Sequence, residues 1–282
     1  MHIVVCIKQV PDSAQIRIHP VTNTIMRQGV PAIINPYDLY VLEEALRIKD
    51  RAGARVTVLT MGPPMAEQAL RKALAYGADD AVLLTDRKFA GSDTLATSYA
   101  LSSAIQKLHN DVEPVSLVFC GKQTVDGDTA QVGPGIAVRL GLQQLTYVSA
   151  VESLDAAAGK IVVQRRSEGG VQVLETTLPA MITMIEGVNT IRFGTMDDLF
   201  RAARYPLQVW HKDVCITDES KLGLKGSPTV VSKVFVPKPN AEKAKLLSVP
   251  DGDAQALADL AVSTLFEAQP KLAASVKAAA AA

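Results

Sequence analysis

Cysteine is scarce in this chain, aromatic residues are few, and neither sign of charge prevails. The 3 cysteines among 282 residues, Cys6, Cys120 and Cys215, are scattered and never form a C-x-x-C pair. That argues against a disulfide framework or a cysteine-built metal site, and for a reducing compartment. The 4 histidines, His2, His19, His109 and His211, have no ligand spacing, so no metal site is expected. With 29 basic and 29 acidic residues the formal charge is zero, which removes the electrostatic case for binding nucleic acid. No uncharged apolar run approaches the roughly 18 residues of a membrane span. The apolar stretch at the N-terminus is too short for a signal peptide. A soluble, cytoplasmic protein is expected. No G-x-S-x-G elbow is present either, so the serine-hydrolase reading has no anchor.

What the chain does have is apolar content, 48% of its residues, enough for one large domain or a domain with an appendage. Short β-branched runs at residues 2–7, 55–61, 80–84 and 115–120 alternate with helical patterns at 36–50, 65–76 and 94–108. Asn35 is the expected cap of the first helix, with Pro36 at its first position and Asp38 in its first turn. Ser92 or Asp93 is the expected cap of the third. This alternation predicts an α/β fold, a Rossmann-like, mostly parallel sheet flanked by helices. Ligands of such sheets bind beyond the carboxyl ends of the strands. After residue 150 the pattern changes. Alternating runs at 161–164 and 171–176 flank Glu168-Gly169-Gly170 and predict an antiparallel hairpin, and residues 179–185 read as a further strand. From about residue 204 prolines and polar stretches take over, until an amphipathic helix near 253–266 and an alanine-rich tail, for which disorder is expected. Two parts follow, an α/β domain at 1–203 and an extended C-terminal arm at 204–282 that finds its core on a partner.

The stretch GKQTVDGDTAQVGPG, residues 121–135, concentrates the polar chemistry. It is not a P-loop, because Gln123 follows Lys122 and the upstream glycine position is Ser116. Asp126 and Asp128 as a pair of catalytic carboxylates compete with their reading as turn residues. A third reading is a phosphate cradle, in which Asp128 and Gln131 form a capping box and free N–H groups at 127–131 face an anion. Pro134 would then remove one hydrogen bond from a helix begun at Thr129. Residue chemistry alone leaves the cradle and an ordinary capped turn both open.

Ordered blocks across residues 1–237 resemble the β subunit of electron transfer flavoprotein: IVVCIKQVPD, INPYDLYVLEEALRIKD, GKQTVDGDTAQVGP, NTIRFGTMDDLF and GLKGSPTVV. The resemblance implies an α-subunit partner carrying FAD and an adenine nucleotide held by this chain. Matched to the adenosine surroundings are the first loop with Ile7, Lys8 and Val10, then Asn35, Asp38, Thr60, Met61 and Gly62, and Gly121, Lys122, Gln123 and Thr124. Val125 and Asp126, between these and the next turn, are counted with the cofactor-binding residues that the resemblance implies. Gly127, Asp128, Thr129, Ala130, Gln131 and Val132 match the pyrophosphate turn. DGDTAQVGP resembles the electron-bifurcating branch, which implies FAD reduced by NADH and a ferredoxin or flavodoxin acceptor; in the other branch the nucleotide is AMP. NADH-dependent flavin oxidoreductase activity is then expected from the αβ heterodimer.

Residues 189–200 match the loop that docks an acyl-CoA dehydrogenase, with Thr195, Met196 and Leu199 at the contact and Asp197 where a proline is usual. The competing reading puts Met196, Leu199 and Phe200 on the core face of a helix. Trp210, Cys6 and Cys120 are expected to pack as buried apolar groups. The arm after residue 204 is expected to wrap the α subunit.

Overall fold

The computed structural model describes residues 1–12, 17–18, 25–26, 31–232 and 244–280; His19 lies outside them. The chain divides into two units, Met1–Val234 and Phe235–Ala282. In the first, nine strands make one sheet: β1 (His2–Cys6), β6 (Arg55–Met61), β7 (Asp80–Leu84), β8 (Val115–Gly121), β9 (Gln143–Asp155), β10 (Lys160–Ser167), β11 (Gly170–Thr177), β12 (Ala180–Met184) and β13 (Gln208–Trp210). The short pairs β2 (Gln9–Pro11) with β5 (Ala32–Ile34), and β3 (Arg17–Ile18) with β4 (Ile25–Met26), stand apart from it. The sheet runs β11-β10-β9-β12-β8-β1-β6-β7-β13. Its β10–β11 and β9–β10 pairs are antiparallel and the remainder parallel. The mostly parallel α/β architecture is thus present, with the expected β10–β11 hairpin extended by a second antiparallel pair, β9–β10.

The parallel strands are apolar because both faces are covered. Every residue of β1 is buried, and its odd and even side chains enter different cores. Ile3 and Val5 join Val58 and Phe119 in one, with α1 (Pro36–Ala52) and α2 (Glu67–Tyr76). Val4 and Cys6 join Leu59, Val118 and Cys120 in the other, with α3 (Thr94–Asp111) and α4 (Val132–Leu140). Such two-sided burial yields continuous apolar runs rather than alternation. Trp210 packs against the second core. Cys6 and Cys120 are buried in it, and hydrogen bonding with Cys6 and burial push the Cys120 thiol well up.

Several local expectations are corrected. Asn35 precedes α1 but its side chain caps nothing there, because tertiary partners claim it. Of the two caps expected for α3, Ser92 or Asp93, it is Asp93 that serves, accepting from the N–H groups of Leu95 and Ala96. Met65 lies in a 3₁₀ turn, and α2 begins at Glu67. The boundary expected at 203 falls inside the first unit. There β13 extends the sheet beside β7, α6 (Lys212–Cys215) follows, and Leu222 is buried in the second core.

The second unit holds α7 (Ala254–Ala268), capped by Asp253, and α8 (Pro270–Ala280). The alanine tail is therefore helical through Ala280, consistent with alanine's high helix propensity and the proline at its start. Neither helix has a buried residue; Leu257, Leu260, Leu265 and Val276 are exposed.

Candidate functional site

Strand order reverses beside β1. The chain proceeds outward from β1 to β6 and β7, then returns to place β8 on the other side of β1. At such a switch point the connections leave in opposite directions and open a crevice beyond the strand ends. A cavity of about 1360 Å³ lies there, lined by Cys6 and Ile7 at the end of β1, Met61 and Gly62 at the end of β6, Thr85 after β7, and Cys120 and Gly121 on β8. At about 4.8 Å between strands, four strand ends span roughly 14 Å.

Asp38 ties the crevice together from below. It is 4% exposed, accepts from the Lys8 N–H at 2.7 Å and from Asn35 Nδ2 at 2.9 Å, and also accepts from the Gly121 N–H. Burial outweighs these donors and pushes its carboxyl up to about 7. Residue 121 has to be glycine, because a Cβ there would strike the Asp38 carboxylate and approach the Tyr37 carbonyl carbon at 2.9 Å. Asn35 extends the link. Its Nδ2 donates to Gln123 O at 2.9 Å and its Oδ1 accepts from Val125 N–H at 3.1 Å. Lys8 Nζ meets Asp126 at 2.8 Å. Burial raises the Asp126 carboxyl, but the Lys8 ammonium outweighs it and leaves the group below its ordinary value. One buried carboxylate and one amide therefore fix the loop after β1 against the loop after β8.

The loop that follows is not a capping box. Asp128 takes a hydrogen bond from Gln123 Nε2, Gln131 Oε1 accepts from Thr94 Oγ1 at 2.8 Å, and α4 begins at Val132 with no side-chain cap. Tertiary partners took the side chains that the local spacing had assigned to the helix end. Pro134 consequently sits in the first turn, where an N–H would be unpaired anyway, and costs no helical hydrogen bond. Positive φ falls on Asp128 (59°) and Ala130 (56°) rather than on Gly127. Left-handed residues in such a turn aim successive N–H groups into a common concavity, an anion-binding nest. Among the described residues, the N–H groups of Thr129, Ala130 and Gln131 have no acceptor. With the start of α4 they form an uncharged donor set suited to phosphate. Asp126 and Asp128 are each engaged by a neighbour, which leaves the paired-carboxylate reading without free groups.

Of the residues singled out in the sequence, Ile7, Lys8, Asp38, Met61, Gly62, Gly121, Lys122, Gln123, Thr124, Gly127, Thr129, Ala130, Gln131 and Val132 line the cavity. Val10, Asn35, Thr60, Val125, Asp126 and Asp128 do not; Val10, Asn35 and Thr60 are buried, and Val125, Asp126 and Asp128 are exposed. Lys122 is 15% exposed, 3.5 Å from Glu186 and 4.9 Å from the Tyr37 ring centre. Sequence reasoning missed the far wall, formed by Asp86, Arg87, Phe89, His211, Thr229 and Val231. His211 Nδ1 lies 2.8 Å from Thr85 O, and Thr229 donates through Oγ1 to Asp93 at 2.8 Å. That second contact leaves Asp93 serving both the α3 end and the returning chain, and its carboxyl titrates low: burial opposes ionisation, but hydrogen bonds from Ala96 and Thr229 outweigh it. The other two described histidines are occupied structurally. His2 Nε2 lies 2.8 Å from Thr57 Oγ1, and His109 Nδ1 accepts from Val115 N–H at 3.1 Å.

The loop at 189–200 forms a separate feature. α5 (Met196–Arg204) has a complete capping box between Thr195 and Asp198. Met196, Leu199 and Phe200 are exposed and Ala202 is the buried residue of this helix. The core-face reading of those three side chains is therefore overturned, since the helix packs on α2 through its other side.

Sheet, switch point and crevice define a doubly wound α/β protein with a cleft beyond the carboxyl ends of its central strands. A model of the electron transfer flavoprotein domain matches residues 22–211. The chain is 65% identical over 273 residues to "Protein FixA" of Azotobacter vinelandii, covering 96% of this chain and 97% of that one. It is 63% identical to the protein of the same name from Bradyrhizobium diazoefficiens, over 96% of this chain and 93% of the relative. With the "Electron transfer flavoprotein subunit beta" of Clostridium acetobutylicum it shares 51% identity, over 83% of this chain and 87% of that one. The chain belongs to the electron transfer flavoprotein family, among its β subunits. Among the described residues, no helix is long and apolar enough to cross a membrane.

Proposed function

We propose that this β subunit holds FAD in the crevice and works with an α subunit as an electron-bifurcating flavoprotein. The observation that carries the reading is the combination of an uncharged phosphate cradle at 129–131 with a cavity of about 1360 Å³. That exceeds the roughly 300–1,000 Å³ of common small-molecule pockets and suits a dinucleotide better than a mononucleotide. Thr129, Ala130 and Gln131 would hold the pyrophosphate through their backbone N–H groups. Ile7, Met61 and Gly62 would lie against the adenosine, while Asp38 and Asn35 keep the two loops at the right separation. The chemistry FAD supplies when bound is hydride acceptance from NADH and release of single electrons, one toward the α-subunit FAD and a dehydrogenase, the other toward ferredoxin or flavodoxin. The chain's own contribution is to bind, orient and enclose.

The exposed face of α5 is the docking surface for an acyl-CoA dehydrogenase in this reading. The second unit, whose helices have no buried residue of their own, packs on the α subunit. Truncation after Val234 then abolishes heterodimer formation and spares the sheet, as gel filtration and circular dichroism would register. Anaerobic NADH should bleach flavin in the purified heterodimer with no dehydrogenase added. Failure to bleach would leave a simple shuttle with AMP in the crevice.

A further inference from the structure

Two of the three cysteines face each other on the floor of the crevice. Cys6 ends β1 and Cys120 lies on β8, and the two are register partners across that parallel pair. Both side chains belong to the second core, on the α3 and α4 side of the sheet. Both also line the cavity, at 8% and 6% exposure. Their thiols are hydrogen-bonded to one another. Cys215 lies apart, in α6 beyond the edge strand β13.

Neighbouring strands stand about 4.8 Å apart, inside the roughly 4.4–6.8 Å that a disulfide spans between Cα atoms. Side chains that stand parallel on such strands must still lean together, so the bond formed is strained and easily reduced. Its position matters more than its strength. Cys6 leads into the loop of Ile7 and Lys8, and Cys120 into Gly121; the Lys8 and Gly121 N–H groups are the ones that Asp38 holds. Gly133, in the first turn of α4, passes so close that an added Cβ would lie 3.4 Å from the Cβ of Cys120. Drawing Cys120 toward Cys6 therefore shifts the base on which the cradle at 129–131 rests.

We propose that Cys6 and Cys120 form a redox-sensitive dithiol site, shielded while a nucleotide fills the crevice and closed to a disulfide by peroxide when the crevice is empty. The shielding rests on the crevice being the nucleotide site, and it holds for FAD and AMP alike. The chemistry takes two steps. One thiolate attacks the O–O bond of the peroxide, becomes a sulfenic acid and releases hydroxide, which takes up the thiol proton. The second sulfur then displaces the sulfenic hydroxyl as water. Two thiols thus lose two electrons and two protons, and peroxide becomes two waters. The shared hydrogen bond and burial push the Cys120 thiol well up, which slows the attack near neutrality and speeds it in alkali. A subunit oxidised while empty is withheld from loading until a thiol reductant reopens the pair.

The test uses the αβ heterodimer, stripped of nucleotide or reloaded with FAD or AMP, treated with hydrogen peroxide and then with an alkylating agent. Peptide masses should show Cys6 joined to Cys120 in the stripped protein. Reloading at about ten times the dissociation constant leaves about a tenth of the sites empty and should slow the crosslink about tenfold. The stripped rate should climb about tenfold per pH unit above neutrality, following the thiolate fraction. Crosslinked protein should fail to reload until dithiothreitol is added. Cys6→Ala and Cys120→Ala should each make loading, whatever its level, indifferent to peroxide. Over-oxidised thiols without a crosslink, or a crosslink to Cys215, would overturn the dithiol site. Equal rates in stripped and reloaded protein of verified nucleotide content would overturn the shielding, and normal reloading of crosslinked protein would overturn the switch. Retention of neither nucleotide would remove the crevice reading and the shielding with it, while the crosslink in the same sample still decides the thiol pair.

Discussion

The crevice and the α5 platform are made of the same parts, loops meeting helix ends, finished in opposite ways. In the crevice, backbone groups are left without partners among the described residues: the N–H groups of 129–131 have no acceptor there, α4 starts without a side-chain cap, and Asp128 and Ala130 hold positive φ. At α5, backbone groups are satisfied, by the Thr195–Asp198 box at one end and Arg71 at the other. What lacks a partner there is apolar side-chain surface, from Phe193 to Phe200. Open backbone donors call for an anion. Open apolar side chains on a rigid base call for another protein. The difference lies in which groups each region leaves unmatched.

That contrast can be broken most severely at Gly121. Gly121→Val would drive a side chain into Asp38 and the backbone of Tyr37, and overpacking of this kind costs about 1–3 kcal/mol. Urea unfolding should show a loss at the upper end of that range, together with loss of bound nucleotide. The next largest effect is a pH dependence. The Asp38 carboxyl, raised from 3.8 to about 7 by burial, keeps its proton in the folded state where the unfolded chain has lost it. Its stabilising contribution is therefore fully present below about pH 4 and lost as pH rises through about 7. Asp38→Asn cannot titrate, so the stability gap between wild type and variant should narrow from pH 5 to pH 8. A constant gap across that range would count against a buried protonated Asp38.

Two smaller changes should differ in sign between the regions. Thr195→Ala removes the α5 cap and should cost about 1 kcal/mol. Ala130→Gly relieves a left-handed alanine in the cradle and should gain about 0.5–1 kcal/mol, read as a higher urea midpoint in the nucleotide-free protein. Equal and unfavourable effects at both positions would erase the distinction between a strained site and a relaxed platform.

Much of the sheet was legible because two-sided burial writes apolar runs into the strands; residues 55–61 and 80–84 coincide with β6 and β7. The hairpin was legible from its glycine pair, and the hairpin strands indeed meet at Ser167 and Gly170. What escaped depends on contacts distant in sequence. Asp128 and Gln131 have the spacing of a capping box, yet Gln123 and Thr94 claim them. β13 is three residues long and makes sense only beside β7, so the chain after 204 read as an arm. The far wall of the cavity has the same origin. Thr229 reaches it through Asp93, 136 residues away in sequence, and no local pattern encodes that return.

The central claim is that the crevice takes a second flavin, and the most direct measurement is the identity of what the purified heterodimer releases on denaturation. Two FAD per heterodimer, with no adenine mononucleotide, is the predicted result. One FAD accompanied by one AMP would contradict it.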